Sequence, residues 1–233
     1  MKKILLILSV ICLAISCRYK TGSGNIVTQN RNLAAFTTMS VAGGFDVEVK
    51  KGINTKVIVE ADDNIIDDIE TSVHNGQLKI TISNGMSYND VHMKVFVTVT
   101  ELNKINSSAA ADVDVKDELS SQNSIDLSAS SGSSIKVIIN APEAKADASS
   151  GGEIEISGRT KNFDVEVSSG SSVLASKLLS ENTIAEASSG GTAEVHASVQ
   201  LDAKASSGGT ISYRGAATAI TKESSGGSIN KSN

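Results

Sequence analysis

The chain has 233 residues, a formal net charge of −5, one proline, no tryptophan, two cysteines and only 3% aromatic residues. That acidic balance argues against nucleic acid and anionic lipid headgroups as partners, since both demand clustered positive charge. It has too few cysteines for a disulfide framework, so stability has to come from packing.

The N-terminus reads as a secretion signal. Lys2 and Lys3 form a charged start, and Ile4 to Ile15 is an apolar run too short to span a bilayer. Ala14-Ile15-Ser16 then precedes Cys17, an order that resembles the lipobox of bacterial lipoproteins, although Ala14 stands where a large aliphatic is usual and Leu13 lies one further back. A plain signal-peptidase cut after Ser16 would leave the same first residue. Residues 1–16 are therefore expected to be removed, with Cys17 the new first residue and the site of a lipid anchor. Cys12 goes with the leader, so no internal disulfide can form. Removal of Lys2 and Lys3 makes the remaining chain more acidic still. Residues 17–35 are polar with no strand periodicity, which predicts a flexible tether ordered from about Phe36.

From Phe45 the apolar period is two. Phe45, Val47 and Val49 alternate with charges, and Val57-Ile58-Val59 follows Gly52-Ile53-Asn54. Asp62-Asp63-Asn64 predicts the cap of a short helix with Ile65, Ile66, Ile69 and Val73 on its stripe. Asn75-Gly76 is a turn before the strand of Leu78, Ile80 and Ile82, and a further alternating strand runs from Val91 to Val99. Residues 36–105 thus form a mostly β, less regular part.

Residues 106–233 repeat. Ser-Ser-Gly recurs with its glycines at Gly132, Gly151, Gly170, Gly190, Gly208 and Gly226, in steps of 19, 19, 20, 18 and 18 residues. With that glycine as zero, position +3 carries Ile135, Ile154, Val173, Ala193, Ile211 and Ile229. Positions −7, −5 and −3 carry such sets as Ile125, Leu127, Ala129 and Phe163, Val165, Val167, while the intervening positions are polar. Ala110 and Val113 look like an earlier, degenerate coil. Continuing the alternation through the corner predicts that the second serines, Ser131, Ser150, Ser169, Ser189, Ser207 and Ser225, point inward as a self-satisfied hydroxyl ladder, with the glycines supplying the bend. A period of 18–20 residues fits one turn of a parallel β-helix whose coils stack at about 4.8 Å. The fold expected is all-β, a single-stranded parallel β-helix preceded by a less regular β segment with one short helix.

Gly52-Ile53-Asn54, the run Lys56-Val57-Ile58-Val59-Glu60, the strand entry Asn75-Gly76-Gln77-Leu78-Lys79-Ile80 and the later Ser-Ser-Gly-Gly corners together resemble the family "Putative auto-transporter adhesin, head GIN domain", found mainly in Bacteroidetes. The resemblance covers nearly all of residues 40–230. It implies a right-handed parallel β-helix in the cell envelope, and it brings no catalytic or binding residues with it.

The outward columns place Asp126, Lys145 and Asp164 on one line and Asp147, Glu166 and Glu186 on the next, about 5 Å apart from coil to coil. Clustered carboxylates beside a lysine are what a β-helix polysaccharide lyase or hydrolase would need. A charge ladder that keeps the sheet soluble accounts for the same columns. His74, His92 and His196 lack second ligands at useful spacing, and Asp62, Asp63, Asp67 and Asp68 lack the pattern of a calcium loop. No catalytic, cofactor or metal site is expected. The repeat region offers only Phe163 and Tyr213 as aromatics, so Phe45, Met86, Tyr88 and Met93 are the better candidates for a ligand site. The function expected is a non-enzymatic adhesion or binding module on an outer-membrane lipoprotein, on the periplasmic side or the cell surface. Its partners would be the membrane, through the lipid, and an envelope protein or glycan, with the protein a monomer or weak end-to-end dimer. A carbohydrate-active enzyme and an envelope scaffold are the alternatives.

Overall fold

The computed structural model describes residues 19–83 and 87–232. The leader, Cys17 and Met86 lie outside the described residues. Among the described residues no helix is long and apolar enough to cross a membrane.

The N-terminal part contains β1 (Tyr19–Thr21), β2 (Ile26–Arg31), β3 (Thr38–Ala42), β4 (Asp46–Lys51) and β5 (Lys56–Asp62). After a 3-10 turn (Ile66–Asp68) come β6 (Ile69–His74), β7 (Gln77–Ile82), β8 (Ser87–Asn89) and β9 (Met93–Val99). The repeats supply β10 (Lys104–Ser108), β11 (Asp112–Val115), β12 (Leu119–Ser120), β13 (Ser124–Ser130), β14 (Ser134–Ser149), β15 (Glu153–Val167) and β16 (Ser172–Ala187). They finish with β17 (Thr192–His196), β18 (Gln200–Ala205), β19 (Thr210–Arg214), β20 (Thr218–Glu223) and β21 (Ser228–Lys231).

Each coil lays its strands in parallel on the next, giving a β-helix of about seven turns. Before the corners the ladder runs β7, β3, β10, β13, the second halves of β14, β15 and β16, then β18 and β20. After the corners it runs β9, β4, β11, the first halves of β14, β15 and β16, then β17, β19 and β21. At the N-terminal end the stack turns antiparallel, with β5 on β9, β2 on β5 and β6 on β7.

The uneven repeat lengths are absorbed away from the corners. The 20-residue coil carries a register shift between Glu155 and Ser157, where β16 has one extra residue. The next coil is shorter because β17 stops at His196 and β18 starts at Gln200.

The inward positions read from the alternation are buried: Ile125, Leu127, Ala129, Ile135, Ile154, Phe163, Val165, Val167, Val173, Ala193 and Ile211 all belong to one core. Along position −7 the sizes alternate as Ile125, Ala144, Phe163, Thr183 and Leu201, so that each large side chain fills room left by a small neighbour.

The corner differs from its sequence reading. The second serines Ser131, Ser150, Ser169, Ser189, Ser207 and Ser225 are exposed and have φ between 46° and 54°, and the glycine after each is left-handed too. Two consecutive left-handed residues make a tight turn closed by the N–H of the following residue, as in Ser171 N–H to Ser168 O at 3.2 Å and Gly191 N–H to Ser188 O at 2.8 Å. Such a turn keeps both of its central residues outside, so the second serine is the one inward position that the corner turns out, and the alternation resumes in phase with the residue after the glycine inside. Ser133 and Ser171 are the buried hydroxyls, and Gly152, Gly191 and Gly209 hold the same place in other coils. The ladder at the corner is made of backbone instead. Gly132, Gly151, Gly170 and Gly190 each donate an N–H to the carbonyl of the second serine one coil on, each at 3.2 Å. Ala109 and Ala110 are left-handed as well and form the degenerate first corner.

The buried hydroxyl of Ser171 donates to Ala148 O at 2.7 Å and accepts from Ser168 N–H at 3.1 Å. Ser171→Ala should therefore cost about 1–3 kcal/mol through unpaired buried groups. Ser169→Ala should change stability by less than about 0.5 kcal/mol, since that side chain faces water. Thermal midpoints of the two variants measured side by side check the assignment.

Two other expectations are corrected. Residues 19–31 are not a tether, because they form β1 and β2. The capping helix shrinks to the 3-10 turn, and Ile69 and Val73 sit on strand β6. One cause links both. Asp62, only 2% exposed, spends its carboxylate on Gly24 N–H and His92 N–H, each at 2.7 Å, instead of on a helix start. Asp63 accepts from Ser23 and Asn25, Asn64 donates to Thr21 O, and Asp68 pairs with Lys20 at 2.5 Å. The acidic cluster is thus a clasp for the N-terminal strands.

Candidate functional site

In-register stacking turns each outward position of the strands before the corners into a column of side chains along the stack. Position −4 reads Ser128, Asp147, Glu166, Glu186, Lys204, Lys222. Position −6 reads Asp126, Lys145, Asp164, Ile184, Asp202, Ile220, and position −8 reads Ser124, Glu143, Asn162, Asn182, Gln200, Thr218. Two trenches run along this face. One, of about 520 Å³, lies between position −4 and the first serines of the corners, Ser149, Ser168, Ser188, Ser206 and Ser224. The other, of about 390 Å³, lies between positions −6 and −8, and Lys145 lines both.

The first trench largely neutralises itself. Lys145 Nζ lies 3.8 Å from Asp147 and 3.9 Å from Glu166, and Lys204 Nζ is 2.8 Å from Glu186. Asp147 holds the Lys145 ammonium above its usual range, with burial opposing and Glu166, Asp164 and Asp126 assisting. Burial pushes the Asp147 carboxyl up, with Lys145 opposing and Asp164 and Asp126 adding to the rise. A carboxyl whose folded pKa is raised binds its proton more readily in the folded state. Its contribution to stability is therefore largest in acid and falls as pH climbs from the unfolded value through the folded one. Asp147→Asn should flatten that part of the profile and gain on the wild type at neutral pH but not in acid, as read by thermal midpoints across that range.

The charged columns read from the sequence are brought together as expected, Asp126 with Lys145 and Asp164, and Asp147 with Glu166 and Glu186. The proposed ligand site of the N-terminal part is not. Phe45 and Met93 are buried, and Tyr88 packs partly buried against the core. His92 pairs with Glu60 at 2.8 Å and is far along the chain from His74 and His196. Among the described residues no group of three His, Cys, Asp or Glu side chains could hold a metal ion.

Sequence reading missed the second trench. Its amide column lies at position −8, counted from the same corner glycines, one outward step before the charged column at −6. Asn182 Nδ2 donates to Asn162 Oδ1 at 3.0 Å, with Gln200 next in line. Ile184 stands 49% exposed in the neighbouring column, between Asp164 and Asp202.

Several solved structures share this fold. A protein described as a putative adhesin from Bacteroides fragilis NCTC 9343 superposes with a TM-score of 0.82 at 17% identity, covering 91% of this chain and 99% of that one. A putative adhesin from Parabacteroides distasonis ATCC 8503 gives 0.74 at 20% identity, with coverages of 92% and 100%. A protein from the same organism described as a putative lipid binding protein gives 0.69 at 20% identity, with coverages of 93% and 100%. No curated protein matches the sequence. The sequence itself matches the family described as "Putative auto-transporter adhesin, head GIN domain" over residues 35–217, so with its Ser-Gly corners and parallel coils this chain belongs to that family.

Proposed function

We propose that the chain is a non-enzymatic binding or adhesion module of the cell envelope, tethered by a lipid on Cys17, and that it presents the twin-trench face to its ligand. The observation that carries this reading is the unobstructed face itself, with two parallel trenches crossing several coils. Family membership supports it, since the description is that of an adhesin. The clasp at Asp62 begins within a few residues of Cys17 and would hold the domain close to the membrane.

The test has two arms. Wild type should fractionate with membranes and carry lipid by mass spectrometry, while Cys17→Ser should be released; a soluble, unlipidated wild type would remove the anchor from the proposal. Beads coated with the chain from Arg18 onward should adhere to envelope material. The combined changes Asp126→Arg, Asp164→Arg and Glu186→Arg should reduce that adhesion at least tenfold, whereas exchanging Lys136 and Glu155, which pair at 2.8 Å on another face, should not. Equal loss in both variants would move the binding surface elsewhere.

One feature favours a second reading, a carbohydrate-active enzyme: the raised carboxyl of Asp147 beside Lys145 in a trench. Release of new reducing ends or unsaturated uronates from envelope polysaccharide by the wild type, abolished in Asp147→Asn, would establish it.

A further inference from the structure

We infer that the second trench is a subsite for a neutral glycan chain lying along the stack, about one sugar per coil. The inference rests on the binding-module reading above and names the ligand class.

The trench offers a periodic set of partners. Asn162, Asn182 and Gln200 form one wall, with Asp164, Ile184 and Asp202 as the other, in three successive coils. Carboxylates and side-chain amides accept and donate to adjacent hydroxyls, which is what a sugar ring presents along its edge. Within the described residues Asp164, Asp202 and Gln200 make no side-chain hydrogen bond, so their capacity is free for a ligand. Ile184, 49% exposed, gives an apolar step at the centre of this frame, against which the C–H face of a pyranose can rest.

Spacing selects between extended polymers. Coils repeat at about 4.8 Å, whereas same-face side chains of an extended peptide repeat at about 6.7 Å and fall out of step within two coils. A pyranose in an extended 1,4-linked chain advances by nearly one coil spacing and stays in register. Charge selects among glycans. Asp126, Glu143, Asp164 and Asp202 line the trench against Lys145 alone, so uronates, sulfated chains and phosphorylated chains are repelled.

The test is calorimetric titration of the chain from Arg18 onward, which keeps every described strand. The probes are 1,4-linked gluco-, manno- and N-acetylglucosamine oligomers of two to six units, with polygalacturonate oligomers as the anionic control. The expected result is binding by at least one neutral series, strengthening several-fold per added sugar up to about four units, with no binding of polygalacturonate. Ile184→Lys and the pair Gln200→Ala with Asp202→Ala should each weaken it at least tenfold while leaving the thermal midpoint within a few degrees. Tight binding of polygalacturonate, length-independent affinity, or unchanged affinity in both variants would overturn the inference. If no neutral oligomer binds at millimolar concentration but the coated beads still adhere through this face, the glycan assignment fails and the module reading stands. If neither binds, both fail.

Discussion

Phe163→Ala is expected to destabilise the domain by about 3–5 kcal/mol, the range for emptying a buried aromatic site. The ring is 2% exposed and sits mid-stack, with Ala144 one coil back and Thr183 one coil on. Those neighbours are small because Phe163 occupies their space, and backbone hydrogen bonds to both coils keep the walls from collapsing inward. At about 2–4 °C per kcal/mol for a chain of this size, the midpoint should fall by about 6–20 °C. Restoring volume next door with Ala144→Leu in the same chain should recover part of the loss. A midpoint unchanged by Phe163→Ala would mean that the size alternation along this column is not packing.

Gly158→Ala should cost about as much for a different reason. Gly158 has φ +111°, and a Cβ there would lie 2.0 Å from Ile139 O and 2.9 Å from Ile139 N, both backbone atoms of the previous coil. Backbone cannot rotate away as a side chain can, so the coils must separate; together with the unfavourable φ this costs about 3–5 kcal/mol. Gly170→Ala is the control. Its φ is +69° but nothing lies within 4 Å of the added carbon, so only the left-handed penalty of about 1–2 kcal/mol applies. The measurement is chemical denaturation of both variants, and equal midpoints would show that close approach of the coils does not set the cost.

These two sites also show what the sequence makes legible. Phe163 could be assigned inward from strict alternation, because period two survives wherever the strand is regular. That logic carried the core, the coil and the charged columns at Asp126, Lys145 and Asp147. It failed at Ser169 because a turn of two left-handed residues swings out the one side chain that parity places inside and then returns the chain in phase, so a parity count runs straight through it. It missed the trench at Asn182 and Ile184 because these side chains carry no charge to draw the eye, and alternation assigns a side chain to a face without saying that two neighbouring columns enclose a trench. The strands at residues 19–31 were hidden for a third reason. Their order depends on Asp62, which is remote in sequence, and no local pattern announces a partner of that kind.

The direction of the coil-to-coil hydrogen bonds has a mechanical consequence. They lie along the stack, and among the described residues β20 and β21 each pair with a single strand, β18 and β19. Tension applied along the stack from that end therefore opens one rung after another, like a zipper, and each freed coil pays out about 60 Å of chain. A load applied along the strands must instead shear whole rows of bonds together. A partner gripping several coils at once would bridge the rungs that otherwise yield one by one and share the load among them, so a head of this design holds best when its ligand lies lengthwise.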